Sequence, residues 1–60
     1  MMEAQRAELV FVVRQGDGGW LIDGPSTMGP FFSKDHALDL AHGMAQAIRS
    51  SGQDARVETR

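Results

Sequence analysis

The chain has 60 residues, a formal net charge of −2 and no cysteine. This length allows a single domain, and the lack of cysteine excludes disulfides and thiolate metal sites. No stretch reaches the ~20 apolar residues of a membrane span. The N-terminal MMEAQRAE has no apolar signal-peptide region, so we expect a cytoplasmic protein without membrane contact.

A domain of this size buries only about 60% of the surface that its unfolded chain exposes, so its stability is marginal. With disulfides excluded, association with a second copy is the expected supplement. We expect residues 1–7 to form a flexible tail, because they show no hydrophobic period, and residues 8–60 to form the single domain.

The first predicted strand is LVFVVR, which is rich in β-branched and aromatic residues. Alternation puts Leu9, Phe11 and Val13 on one face, and Val10 and Val12 on the other. Both faces are therefore apolar, and the face that is turned away from any helix needs a cover of its own.

The glycine-rich QGDGG that follows suits either a phosphate loop or a tight turn. A phosphate loop requires Gly-Lys-Ser/Thr and a helix next, whereas GWLIDG is typical of a strand. We therefore predict a hairpin with an Asp-Gly turn. In the second strand Trp20 and Ile22 share one face and Leu21 opposes them.

The segment Gly24–Pro30, GPSTMGP, is predicted to be a turn throughout, and FFS a short third strand. Pro30 cannot donate a ladder hydrogen bond, so we place it at a sheet edge or at the start of the strand.

A helix is predicted after Ser33, a good N-cap, and before Gly52, which suits the left-handed position beyond a helix end. Asp35 in its first turn and Arg49 in its last complement the helix dipole. Its apolar stripe is centred on Ala37, Ala41, Met44 and Ile48. Leu38 and Ala45 flank the stripe on one side, and Leu40 and Ala47 on the other.

ARVET, Ala55–Thr59, alternates polar and apolar residues and is predicted to be the last strand. The resulting fold class is α+β. We expect an antiparallel sheet of three to four strands with one helix packed on one face, in the order β-β-β-α-β.

The GDGGWLI hairpin, the short strand with phenylalanine and the helix SKDHALDLAHGMAQAI together resemble the small bacterial proteins of the domain of unknown function 2188 family. The resemblance covers about residues 9 to 59, although the DGPSTMG connection is longer than in that family. The N-terminal half of HicB-type antitoxins is similar to a lesser degree. The first resemblance implies the fold but no activity.

Candidate sites for chemistry are few. Asp35, Asp39 and His42 share one helix face, which is more typical of a solvated surface than of a metal site. No nucleophile lies in a catalytic pattern, so we expect no enzymatic activity, no catalytic or metal site and no cofactor. Gly43 indicates either a tolerated glycine on an exposed face or close approach by a partner.

The function predicted from these patterns is that of a non-enzymatic protein-interaction module acting as a homodimer, with an unidentified protein as a further partner. We expect the homodimer to form through the uncovered sheet faces or through pairing of edge strands. The predicted interface comprises Val10, Val12, Trp20 and Leu21, with the tryptophan as aromatic anchor. The alternative is a nucleic-acid-binding or antitoxin-like regulator whose Trp20, Phe31 and Phe32 stack on bases. The acidic net charge does not favour this alternative.

Overall fold

A computed structural model describes residues 8–60 of the chain, so the predicted tail at 1–7 lies outside the described residues. The elements are strands β1 (Leu9–Gly16), β2 (Gly19–Asp23) and β3 (Thr27–Phe31), helix α1 (Lys34–Ser50) and strand β4 (Ala55–Thr59). The predicted β-β-β-α-β order is confirmed.

The four strands form one sheet in the order β3-β2-β1-β4, with α1 on one face. β1 and β2 pair antiparallel, as do β2 and β3, whereas β4 runs parallel to β1 with Leu9 opposite Ala55. The sheet is therefore mixed and not wholly antiparallel as predicted. The reason is that α1 carries the chain back along the sheet, so β4 begins at the end where β1 begins.

The turn between β1 and β2 consists of Asp17 and Gly18, since Gly16 pairs with Gly19. Gly18 has φ +86°, a left-handed conformation that a side chain would disfavour. The glycine-rich segment is thus a hairpin turn, as predicted.

The third strand differs from the prediction. It spans Thr27–Phe31, so only Gly24–Ser26 form the turn, and Ser33 belongs to the helix start. The Thr27 hydroxyl donates to the Asp23 carboxylate (2.9 Å) and holds the two strands together beside this turn. A register shift between Trp20 and Ile22 accommodates the Gly29–Pro30 pair. Pro30 lies in an edge strand, as predicted.

Helix α1 begins where the sequence predicts. The Ser33 hydroxyl accepts a hydrogen bond from the His36 amide (3.1 Å), and Gly52, with φ +99°, follows the C-cap Ser51. The stripe that faces the sheet is rotated slightly from the predicted one, toward Leu38 and Ala45. Its fully buried members are Ala37, Ala41 and Ala45, whereas Met44 and Ile48 are only partly buried. Leu40 and Ala47, which were predicted to flank the stripe on the other side, are exposed.

The core between helix and sheet is small. The strands contribute Phe11, Val13 and Ile22, and the largest fully buried side chains are Ile22 and Val13, which lie opposite each other on β2 and β1. The four other buried residues within 8–60 are all alanines, three on α1 and Ala55 on β4. Short side chains let α1 lie close to the sheet, but they bury little apolar surface.

Within residues 8–60, no helix is long and apolar enough to cross a membrane.

Candidate interaction surface

Among the described residues, 8–60, no helix lies on one face of the sheet, and we call this face the open face. Val10 and Val12 of β1 and Leu21 of β2 lie there, because the alternating residues Phe11, Val13 and Ile22 face α1. Each of the three open-face side chains is partly exposed. The structure thus brings three of the four residues of the predicted interface together.

Ion pairs lie among these apolar side chains. Arg14, which is opposite Leu21, bonds to Asp23, which is opposite Val12 (2.5 Å), so this pair lies diagonally between Val12 and Leu21. Arg56, the cross-strand neighbour of Val10, bonds to Glu8 (2.8 Å) and to Glu58 (2.5 Å) on the other side of β1. The open face therefore intersperses three apolar side chains with paired charges.

Two carboxylates flank Val12, because Asp23 of β2 lies opposite it on one side and Glu58 of β4 on the other. The hydrogen bonds that Asp23 accepts from Arg14 and Thr27 lower the pKa of its carboxyl. The lowered pKa favours the charged form of Asp23. Both carboxylates already have guanidinium partners, Arg14 for Asp23 and Arg56 for Glu58.

Trp20 does not share the open face. It lies on the helix side, packed against the core and only partly exposed, with the Lys34 ammonium 5.7 Å from its ring centroid. This is a weak cation–π contact at a surface site. The predicted role of Trp20 as the anchor among Val10, Val12 and Leu21 therefore does not fit its position, because a strand residue can reach only one face.

A second cluster of aromatic residues surrounds the start of α1. Phe31 lies opposite Trp20 on the neighbouring strand and contacts the His36 ring, with centroids 5.4 Å apart and planes inclined at 56°. Phe32, the next residue, is 98% exposed. Together with Lys34, these residues place aromatic rings and a cation at one end of the domain.

The two edges of the sheet differ in kind. β3 carries Pro30, which has no backbone amide to donate to a further strand. β4 contains neither glycine nor proline, and the Arg49 guanidinium donates to the Ala55 carbonyl at its start (2.9 Å). β4 is therefore the more regular edge.

The residues considered for metal chemistry remain on the exposed side of α1. Asp35, Asp39 and His42 are all exposed, and within residues 8–60 no three histidine, aspartate or glutamate side chains are grouped so that they could hold a metal ion. Gly43 is also exposed, and a Cβ at this position would have no neighbour within 4 Å.

Sequence reasoning did not single out two features of this surface. One is the full exposure of Phe32, which follows from its place between the end of β3 and the N-cap. The other is the β4 edge, with Arg56 and Glu58 on the open face. The signal for the second was present in ARVET, whose opposite charges stand two residues apart on one face of a short strand.

Comparison with known proteins finds no match: no family model, no curated protein and no solved structure is similar to this chain.

Proposed function

We propose that the chain is a non-enzymatic protein-interaction module that works as a homodimer. The observation that carries this proposal is the small core, in which Ile22 and Val13 are the largest fully buried side chains. Burial of apolar surface contributes about 25 cal/mol per Å². A domain with so little of it inside gains from burying more against a second copy.

The surface available for this purpose is the side of the sheet that α1 leaves uncovered. Val10, Val12 and Leu21 supply partly exposed apolar groups, and the ion pairs among them supply polar ones. Self-association through this side of the molecule, either face to face or through the adjoining β4 edge, preserves the buried core.

Sedimentation equilibrium at micromolar concentration tests the proposal. We expect a mass twice that of the 6.5 kDa chain, and a melting temperature that rises with protein concentration because unfolding is coupled to dissociation. A monomer mass, together with a melt that does not depend on concentration, would overturn the homodimer.

A pair of charge variants separates the two modes of association. Val12→Lys places an ammonium on the partly exposed open face, where it reaches water in the monomer, whereas a face-to-face dimer would bury the new charge. Val12→Glu tests the same mode with a charge of the opposite sign. Gln46→Lys, on the exposed side of α1, is the matched control for the added charge. Dissociation by the Val12 variants and not by Gln46→Lys would indicate the face-to-face mode.

The aromatic cluster at the start of α1 supports a second candidate function, binding of single-stranded nucleic acid in the manner of a regulator. The exposed Phe32 ring can stack on an unpaired base, and Lys34 lies close enough to Trp20 to meet a phosphate beside it. The net charge of −2 opposes this function.

Fluorescence anisotropy with labelled single strands at two salt concentrations tests the second candidate. Binding that weakens at the higher salt concentration and is lost in Phe32→Ala would support it. Leu40→Ala, which removes the other exposed large apolar side chain, is the control and should leave binding unchanged. No binding by the unmodified chain at micromolar concentration would exclude the candidate.

A further inference from the structure

The backbone hydrogen bonds within residues 8–60 show which groups of β4 point toward β1 and which point away from it. The Leu9 amide donates to the Asp54 carbonyl (3.0 Å), and the Arg60 amide donates to the Val13 carbonyl (2.8 Å). In a parallel ladder alternate residues bond to the neighbouring strand, so Arg56 and Glu58 also point their backbone groups at β1. The amides and carbonyls of Ala55, Val57 and Thr59 therefore point away from the sheet.

An edge strand with outward amides and carbonyls is a template for another strand. At the start of β4, Arg49 already bonds to the Ala55 carbonyl, which leaves the outward groups of Val57 at the centre of the edge. The Val57 side chain is partly buried and packs against the core on the helix side. A strand added here would extend the sheet and the core together.

We propose that two copies of the chain pair their β4 strands antiparallel about a twofold axis at Val57. This inference rests on the homodimer proposed above and identifies its contact. In this register Val57 lies opposite the partner's Val57, and the two exchange both backbone hydrogen bonds. Arg56 then lies opposite the partner's Glu58, and Glu58 lies opposite the partner's Arg56.

The charges of β4 select this register over its neighbours. Moving the axis by one residue places Arg56 opposite the partner's Arg56, or Glu58 opposite the partner's Glu58, and like charges in direct opposition are destabilising. With the axis at Val57, all five residues of β4 overlap and both charged pairs are of opposite sign. Arg56 already lies against Glu58 within one chain, so its guanidinium reaches the partner's carboxylate with a small movement.

Pairing through β4 leaves the open face available to a second partner. Joined at β4, the two sheets become one continuous sheet with both open faces on the same side. In this mode the added apolar burial comes from Val57 on the helix side, whereas Val10 and Val12 of each copy lie on a surface twice as wide as that of the monomer and stay available to another partner.

The test uses two charge reversals, alone and mixed. Arg56→Glu places a second carboxylate opposite the partner's Glu58, and Glu58→Arg places two guanidinium groups in opposition. Each variant should therefore dimerise at least about tenfold more weakly than the unmodified chain. In an equimolar mixture every opposing pair is again of opposite sign. We expect the mixture to form a heterodimer with an affinity near that of the original homodimer.

Sedimentation equilibrium of each variant and of the mixture gives the readout, with circular dichroism to show that each chain folds. Should a single reversal unfold, the double variant with Arg56→Glu and Glu58→Arg replaces it, because its homodimer keeps both complementary pairs. Val12→Lys, on the open face, should leave the dimer intact.

Each outcome decides between the proposals. A monomeric unmodified chain overturns both the homodimer and the β4 contact. A stable dimer that is insensitive to the single reversals, or a mixture that does not recover, overturns the β4 contact and leaves the homodimer standing.

Discussion

A substitution at Gly43 tests whether this side of α1 faces solvent or contacts a partner. Gly43 lies in the interior of the helix, and a Cβ added there would find no atom within 4 Å. Glycine costs a helix interior about 0.8–1.0 kcal/mol relative to alanine. Gly43→Ala should therefore raise the free energy of unfolding by about 1 kcal/mol, which corresponds to roughly 4–8 °C in melting temperature for a domain of this size.

The assay is thermal and urea unfolding followed by circular dichroism at two protein concentrations. Ala47→Gly, on the same exposed side and one turn further along, is the control and should lower stability by about the same amount. If Gly43→Ala instead lowered stability or dissociated the protein, Gly43 would lie in close contact with a partner. That result would refute the interpretation of Gly43 as a tolerated glycine.

Substitutions at three further positions test the cap, the core and the open face. Ser33→Ala removes the acceptor for the His36 amide and should cost about 0.5–2 kcal/mol in urea unfolding, with the helix losing its first turn. Ile22→Ala leaves a cavity beside Val13 and should cost about 2–5 kcal/mol, a large share of a domain's total stability, whereas Ile22→Val should cost about 0.5–1.5 kcal/mol. Asp23→Asn tests pH dependence: because the folded pKa of Asp23 is lowered, its contribution is present above the unfolded pKa of about 3.9 and is lost as the pH falls through the folded pKa. Urea unfolding should show a larger difference between wild type and Asp23→Asn at pH 7 than at pH 2, and an equal difference at both values would refute the assignment.

The order of elements and the first hairpin could be predicted because their signals are local. The alternation in β1, the Asp-Gly turn and the Ser33 cap each involve residues within a few positions of one another. Their structures follow from backbone conformation and short-range hydrogen bonds, which the sequence carries directly.

The third strand could not be predicted in the same way. Thr27–Phe31 contains Gly29 and Pro30, which usually mark a turn, and β2 imposes the strand conformation through a shifted register. Pairing with a neighbour outweighed local propensity there. The direction of β4 likewise depends on where α1 ends above the sheet. No short stretch of sequence determines that position, so the parallel pairing could not be predicted locally.

The position of Trp20 shows a similar limit for the candidate interface. Alternation correctly grouped Trp20 with Ile22 and set Leu21 apart, but it did not say which group faces the helix. The three residues that share the open face were identified, whereas the aromatic anchor lies on the other side. Hydrophobicity alone gives no preference between two apolar faces, and the helix settles the choice by packing on one of them.

The shift of the helix stripe from Met44 to Ala45 has a physical cause that can be tested. Ala37, Ala41 and Ala45 are fully buried, so the helix backbone lies close to the sheet, and larger side chains at the centre of the contact would not fit. Ala41→Met adds three heavy atoms at this point. It should cost about 1–3 kcal/mol or more in urea unfolding, because a packed core resists added volume.

Ala47→Met is the matched control, since the same atoms are added on the exposed side of α1, where the change should stay within about 0.5 kcal/mol. If Ala41→Met were as stable as the control, the helix would lie further from the sheet than its buried alanines indicate. The core would then have room for larger side chains, and the need for a second copy to supplement it would lose its main support.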